Sequence, residues 1–291
     1  MCDELTTKDA EAYLRRSAVT RRQFNKFGVT GAFAMLLPPV ANALDVVEQD
    51  VMVPTPYGEA DCYFVHPASG AHAAVIIWPD IVSIRPAFRA MGKRLAESGY
   101  SVLVVNPYYR TARGAVVPEG KTFRDPGIRD LLMPHAQTLS PETCVSDGRA
   151  FVEYLDRQTA VDTSRKIGTT GYCMTGSYTM RLAAAIPNRI GAGGSFHGGG
   201  LATDADDSPH LLADKMKAGF LIAIAENDDE RNPEEKGLLR EAFDANGINA
   251  EIEVYEGTQH GWCPPDSAVH HEAQAERAWS RLLNLFDREL A

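Results

Sequence analysis

The sequence predicts an α/β protein: a doubly wound, mainly parallel sheet in a single domain. Three observations carry that expectation. Short, continuous apolar runs at 73–78, 101–105 and 220–225 have the length and composition of strands buried on both faces. They alternate with longer segments of helical periodicity, the pattern of a parallel sheet covered on two sides. Reactive residue types recur just after the strand-like runs, where open α/β sheets gather their functional groups.

Residues 46–53 and 60–65 read as strands joined by the turn-rich Pro54-Thr55-Pro56-Tyr57-Gly58, hence a hairpin. The strand at 73–78 ends at Pro79-Asp80-Ile81. Residues 86–98 place Phe88, Met91, Leu95 and Ala96 on one helical stripe, and Gly99 stops them. The strand at 101–105 leads into Asn106-Pro107-Tyr108-Tyr109-Arg110. From 111 to 140 no long periodicity is evident, which suits a functional loop or lid. Helical spacing resumes at 141–155 with Ser140 as N-cap. Strands follow at 165–170, 190–196, 220–225 and 250–255. Helices are expected at 177–186, 233–245 and 267–290.

With 291 residues, 44% of them hydrophobic, the chain can bury a large core without disulfides or metals. The net charge of −10 argues against nucleic acid or an anionic membrane surface as partner. Five cysteines, an odd number with no C-x-x-C pair, indicate neither a zinc site nor a disulfide framework. Cys62 and Cys144 read as structural, and Cys263 as packing near the site. His270-His271 reads as a helix face, with no metal-ligand spacing around it.

The first 43 residues have a pattern of their own. Thr20-Arg21-Arg22-Gln23-Phe24-Asn25-Lys26 precedes a modestly apolar stretch at 27–37 and then Ala41-Asn42-Ala43. This order resembles a twin-arginine export signal with a small-x-small cleavage site. The resemblance implies a signal peptide over 1–43 that meets the export machinery through Arg21 and Arg22, and a periplasmic mature chain over 44–291. The apolar stretch is too short to span a bilayer, so no stable membrane anchor is expected after cleavage. The alternative is a basic amphipathic N-terminal helix.

Chemistry centres on Gly171-Tyr172-Cys173-Met174-Thr175-Gly176, between a strand-like and a helical run. A strand, a sharp turn and a helix would lift Cys173 onto a helix N-terminus, where partial positive charge favours the thiolate. The polar residues that follow the strands are Asp80, Arg110, Cys173, His197, Asp228 or Asp229, and His260. Cys173, Asp228 and His260 fall in the nucleophile, acid, histidine order of α/β-hydrolases. Asp228 is favoured over Asp229 on its spacing from the strand.

The elbow, Ser195-Phe196-His197-Gly198-Gly199, Glu226-Asn227-Asp228 and Tyr255-Glu256-Gly257-Thr258-Gln259-His260-Gly261-Trp262 together resemble the dienelactone hydrolase family, over residues 44–291. The resemblance implies an α/β-hydrolase fold and cofactor-free hydrolysis of a small lactone or ester through a Cys-His-Asp triad. It implies oxyanion donors at the backbone N–H groups of Met174 and Ile81. It also implies that Asp80 pairs with the resting thiol and Arg110 binds a substrate carboxylate, with His197 lining the pocket or satisfying backbone groups. Two departures stand out. Thr175 occupies a place where the family has Gly, and Cys263-Pro264-Pro265 stands where a second carboxylate-binding arginine would be. Two other readings of the same residues are a thiol redox enzyme using Cys173 and a periplasmic binding protein on a hydrolase scaffold.

Overall fold

A computed structural model describes residues 4–16, 37–118 and 120–291. Helix α1 (Glu4–Arg16) precedes a β-hairpin, β1 (Val46–Thr55) and β2 (Gly58–Pro67). Then come β3 (Ala74–Trp78), α2 (Pro86–Glu97), β4 (Ser101–Val105), α3 (Ile128–Ala136) and α4 (Pro141–Leu155). Strand β5 (Ile167–Tyr172) runs through a 3-10 turn (Cys173–Thr175) into α5 (Gly176–Ala185). The chain continues through β6 (Ile190–Phe196), a second 3-10 segment (Pro209–Lys215), β7 (Gly219–Ala225), α6 (Glu226–Arg231), α7 (Glu235–Ala245), β8 (Ala250–Tyr255) and α8 (Glu272–Glu289).

The strands form one 8-stranded sheet in the order β1-β2-β4-β3-β5-β6-β7-β8. Pairing is parallel from β4 across to β8, while β2 is antiparallel to both β1 and β4. This is the doubly wound, mainly parallel sheet that the alternating pattern predicts. Every residue of β3 is buried, and its side chains alternate between two cores, as the pleat requires. Ala74, Ile76 and Trp78 join Phe151 and Leu155 of α4, Met180 of α5 and Phe243 of α7. Val75 and Ile77 join Phe88 and Met91 of α2 with Leu282 and Phe286 of α8.

Local chemistry fixes the element ends. Ser140 caps α4 in a reciprocal box with Thr143, and Pro141 occupies the first turn, where its missing N–H costs nothing. The hairpin is tighter than expected: Thr55 pairs with Gly58, so both strands reach the turn itself. Gly58 has φ +126°, and Thr55 Oγ1 donates to its carbonyl at 2.8 Å. The last helix starts at Glu272, five residues later than the pattern suggests. The double proline at 264–265 is followed by turns, and His271 Nδ1 accepts the Gln274 N–H at the helix start.

The unpatterned 111–140 stretch contains α3, whose internal Pro134 and sparse buried face obscure its periodicity. Two further helices escaped the sequence reading. Helix α6 is a six-residue turn of mostly charged residues, and α1 precedes the paired arginines. Arg21 and Arg22 lie outside the described residues, as do 27–36 of the apolar stretch. Among the described residues, no helix is long and apolar enough to cross a membrane.

Candidate active site

Parallel register brings the carboxyl ends of β3, β5, β6 and β7 to one edge. Trp78 pairs with Gly171, Tyr172 with Phe196 and Phe196 with Ala223, while Ala225 pairs with Tyr255 of β8. The segments that follow these ends carry Asp80, Cys173, His197, Asp228 and His260.

Cys173 sits at the apex of the β5–α5 turn with φ +58°, a left-handed conformation rare outside Gly, Asn and Asp. It is 2% exposed. The flanking glycines are sterically required. A Cβ on Gly171 would lie 2.1 Å from the Thr175 carbonyl oxygen, and one on Gly176 would lie 2.5 Å from Gly198 Cα. Gly199 N–H donates to the Cys173 carbonyl at 3.3 Å, so the His197-Gly198-Gly199 turn clasps the elbow.

Thr175, the departure noted in the sequence, is fully buried and ties the turn together. Its Oγ1 accepts the Tyr172 N–H at 2.9 Å and faces the carbonyls of Trp78 at 2.8 Å, Pro79 at 3.0 Å and Tyr172 at 3.0 Å. The hydroxyl therefore joins the turn holding Cys173 and Met174 to the end of β3, which leads into Asp80 and Ile81. Met174 lies in the first turn after the nucleophile, where N–H groups lack intrahelical acceptors. A glycine could make none of the Oγ1 bonds.

His260 Nδ1 lies 2.7 Å from Asp228 Oδ2, and the ring also hydrogen-bonds the sulfur of Cys173. Burial works against the imidazolium, yet Cys173 and then Asp228 outweigh it, and the His260 pKa rises from 6.5 to about 10. Asp229 is engaged elsewhere: Lys236 Nζ contacts both its oxygens at 2.5 and 2.6 Å. Asn227 Oδ1 accepts the His260 backbone N–H at 2.8 Å, pinning the histidine loop to α6. The Asn227 amide also donates to Asp9 of α1 at 3.3 Å, and Arg231 ion-pairs with the same carboxylate.

Three expected contacts take another form. Both oxygens of Asp80 are bound by Arg85, at 2.7 and 3.0 Å, and Oδ1 also accepts the Val82 N–H at 2.9 Å. Its charge is thus balanced by a guanidinium, although burial still raises its pKa. Arg110 is held by Asp147 through Nη1 at 2.8 Å and Nη2 at 2.6 Å, with the rings of Tyr57 and Tyr109 against its guanidinium. Tyr109 adds a third bond to that carboxylate, so Arg110 has a fixed partner where the resemblance implies a receptor for substrate. His197 is fully buried with φ +39°, and its ring nitrogens bond no other residue. Its ring meets that of His260 edge to face at 5.1 Å, and burial followed by the His260 charge keeps it neutral.

Above the elbow, an apolar roof unites Ile81, Tyr108, Ile128 and Leu132, with Val116 and Met174 packed against them. Tyr108 Oη donates to the Ile81 carbonyl at 2.9 Å. Cys62, Cys144, Cys173 and Cys263 are all buried, and none of them forms a disulfide among the described residues. Burial raises the thiols of Cys62, Cys144 and Cys263, in keeping with packing roles. Among the described residues, no group of three or more His, Cys, Asp or Glu could hold a metal ion.

Sequence reasoning missed Arg85, Asp147, Asn227 and Asp266. Asp80 lies only five residues from Arg85, but Asp266 lies 181 from Arg85, Asp147 lies 37 from Arg110 and Asn227 lies 33 from His260, and no local spacing announces those pairs. Asn227 alone had a signal, being adjacent to the favoured acid.

Comparison with known proteins places the family and the fold. Carboxymethylenebutenolidase of Rhodococcus opacus is 26% identical over 234 residues, 78% of this chain and 86% of that protein. A dienelactone hydrolase-like promiscuous phosphotriesterase from metagenomic libraries superposes with a TM-score of 0.69 at 17% identity, over 84% of this chain and 99% of its own. The dienelactone hydrolase of Anabaena variabilis gives 0.60 at 16% identity, over 84% and 99% of the two chains. These two structures speak for the α/β-hydrolase fold. The sequence profile of the dienelactone hydrolase family matches residues 60–290, from the second strand of the hairpin through the last helix, and the chain belongs to that family.

Proposed function

We propose that this member of the family hydrolyses a small carboxylic ester or lactone through a Cys173-His260-Asp228 triad and a cysteinyl acyl-enzyme. The observation that carries the reading is the continuous hydrogen-bonded chain from the Cys173 sulfur through His260 to Asp228, built on a strained elbow.

In this scheme the imidazolium of His260 holds the thiolate, and Asp228 orients the ring and stabilises its charge. The thiolate attacks the carbonyl carbon. The oxygen takes up the negative charge and is held by the N–H groups of Met174 and Ile81, a contribution of about 3 kcal/mol for each donor. Collapse breaks the ester C–O bond, and His260 gives its proton to the leaving oxygen. Neutral His260 then takes a proton from water, whose hydroxyl opens the thioester. The acid leaves, and the proton on His260 restores the ion pair with the thiolate. Thr175 keeps the two oxyanion donors in register by bonding the elbow to the end of β3. Arg110 acts as scaffold through Asp147, and Asp80 acts through Arg85.

Cys173→Ala is the direct test. Hydrolysis of p-nitrophenyl esters or enol-lactones should fall by roughly 10⁴-fold or more, as when a triad nucleophile is removed. Turnover that survives the substitution refutes the scheme. We further propose export by the twin-arginine route with a mature chain beginning near Leu44. Full-length protein confined to the cytosol of its host would contradict that.

A further inference from the structure

We infer that the site selects neutral, apolar esters or lactones and discriminates against substrates bearing a carboxylate, with Asp266 as the specificity-determining residue. This rests on the hydrolase reading above.

Arg85 is the cation beside Asp80, just past the end of β3. Its Nη1 donates to Asp80 Oδ1 at 2.7 Å and to the Ser83 carbonyl at 3.2 Å. Nη2 donates to Asp80 Oδ2 and to Asp266 Oδ1, each at 3.0 Å, and Nε donates to Asp266 Oδ2 at 2.6 Å. A guanidinium has five N–H donors, and these bonds use them all. Two carboxylates share one buried cation, so the cluster carries one surplus negative charge, with side chains only 9, 11 and 21% exposed.

The remaining charges near the strand ends do not offset that surplus. Arg110 is matched by Asp147. The Cys173 thiolate and Asp228 carboxylate outnumber the one imidazolium of His260, and His197 stays neutral. A substrate carboxylate would therefore meet net negative charge and, among these groups, no cation that lacks a carboxylate partner already. To reach Arg85 it would have to displace Asp80 or Asp266 and leave a buried carboxylate unpaired, which is costly. The other wall is the roof of Ile81, Tyr108, Ile128, Leu132 and Met174, where an apolar group gains by burial and a carboxylate loses its hydration.

The test compares matched substrates on the full chain: meta-acetylphenyl against meta-carboxyphenyl acetate, and phenyl heptanoate against monophenyl adipate. Each kcat/KM is divided by the hydroxide-catalysed rate of the same ester. The neutral member should lead by about tenfold or more in both pairs, equivalent to about 1.4 kcal/mol. Asp266→Asn, checked for folding by its thermal melt, should narrow that ratio by about tenfold through loss of the surplus charge. A carboxylate-bearing member that matches or exceeds its neutral partner overturns the inference while leaving the hydrolase reading intact. A ratio unmoved in folded Asp266→Asn overturns the role given to Asp266. Failure to turn over any of the four esters overturns the hydrolase reading, and the inference with it.

Discussion

The floor and the roof of this site are built from opposite materials. The floor is polar and over-determined. Thr175 Oγ1 meets four backbone groups, Asp228 fixes His260, and Asn227 anchors the histidine loop. The roof, from 111–140 and its surroundings, turns a cluster of apolar side chains around Leu132 and Ile128 toward the site. Hydrogen bonds fix atoms to within tenths of an ångström, which proton transfer needs, whereas apolar packing is non-directional. Floor substitutions should therefore change kcat, and roof substitutions should act on KM and substrate range.

The largest contrast lies within the floor. Asp228→Asn should lower kcat by roughly 10²–10⁴-fold, the scale of losing the triad acid. Asp229→Asn, which weakens only a half-buried pair with Lys236 that makes no contact with His260, should stay within about twofold. Steady-state kinetics on the two neighbours separates them, and equal losses would dissolve the assignment.

Thr175 comes next. Thr175→Val keeps the shape but leaves the Tyr172 N–H without its acceptor. It should lower kcat by roughly 10- to 100-fold as the oxyanion donors lose register. Stability should fall by about 1–3 kcal/mol for the unsatisfied group. Thr175→Ser should recover most of kcat. Failure of Ser to rescue a folded enzyme would reduce Thr175 to packing.

The pH dependence follows from His260. Its folded pKa, about 10, lies above its unfolded value of about 6.5. Stabilisation from the charged ring is thus complete below pH 6.5 and is lost as pH rises through 10. Activity that needs the imidazolium should fall on the same alkaline limb, and Asp228→Asn should move that limb to lower pH. An alkaline limb near 7 in the parent enzyme would contradict the ion pair.

The smallest effect on chemistry is expected in the roof. Leu132→Ala should cost about 2–5 kcal/mol of stability by leaving a cavity. KM for apolar esters should rise by up to about tenfold, with kcat little changed. A loss confined to kcat would mean that the roof, too, positions reacting atoms.

The same division decides what the sequence discloses. The buried strand at 190–196, the half-buried edge strand at 250–255 and the helix at 141–155 were legible residue for residue, because apolar runs, periodicity and a Ser-Pro start are local signals. The grouping of Cys173, Asp228 and His260 was legible because a parallel sheet brings the segments after its strand ends to one edge. The partners of Asp80 and Arg110 were not: Arg85 stands five residues past Asp80 across an irregular turn with no helical or strand period, and Asp147 lies 37 residues from Arg110. Helix α3 was hidden by its internal proline, and α6 by a charged run that resembles a turn. Thr175 was visible as a departure, but only its neighbours across the sheet reveal that its hydroxyl replaces conformational freedom with bonds to β3.

The account stands on a covalent intermediate at Cys173. Rapid-quench mass spectrometry of the enzyme mixed with p-nitrophenyl acetate tests it most directly. The account predicts a burst of nitrophenol matched by an acetyl mass on the peptide containing Cys173, formed and lost at rates compatible with kcat. Turnover with no label on that peptide, or label on another residue, would contradict it.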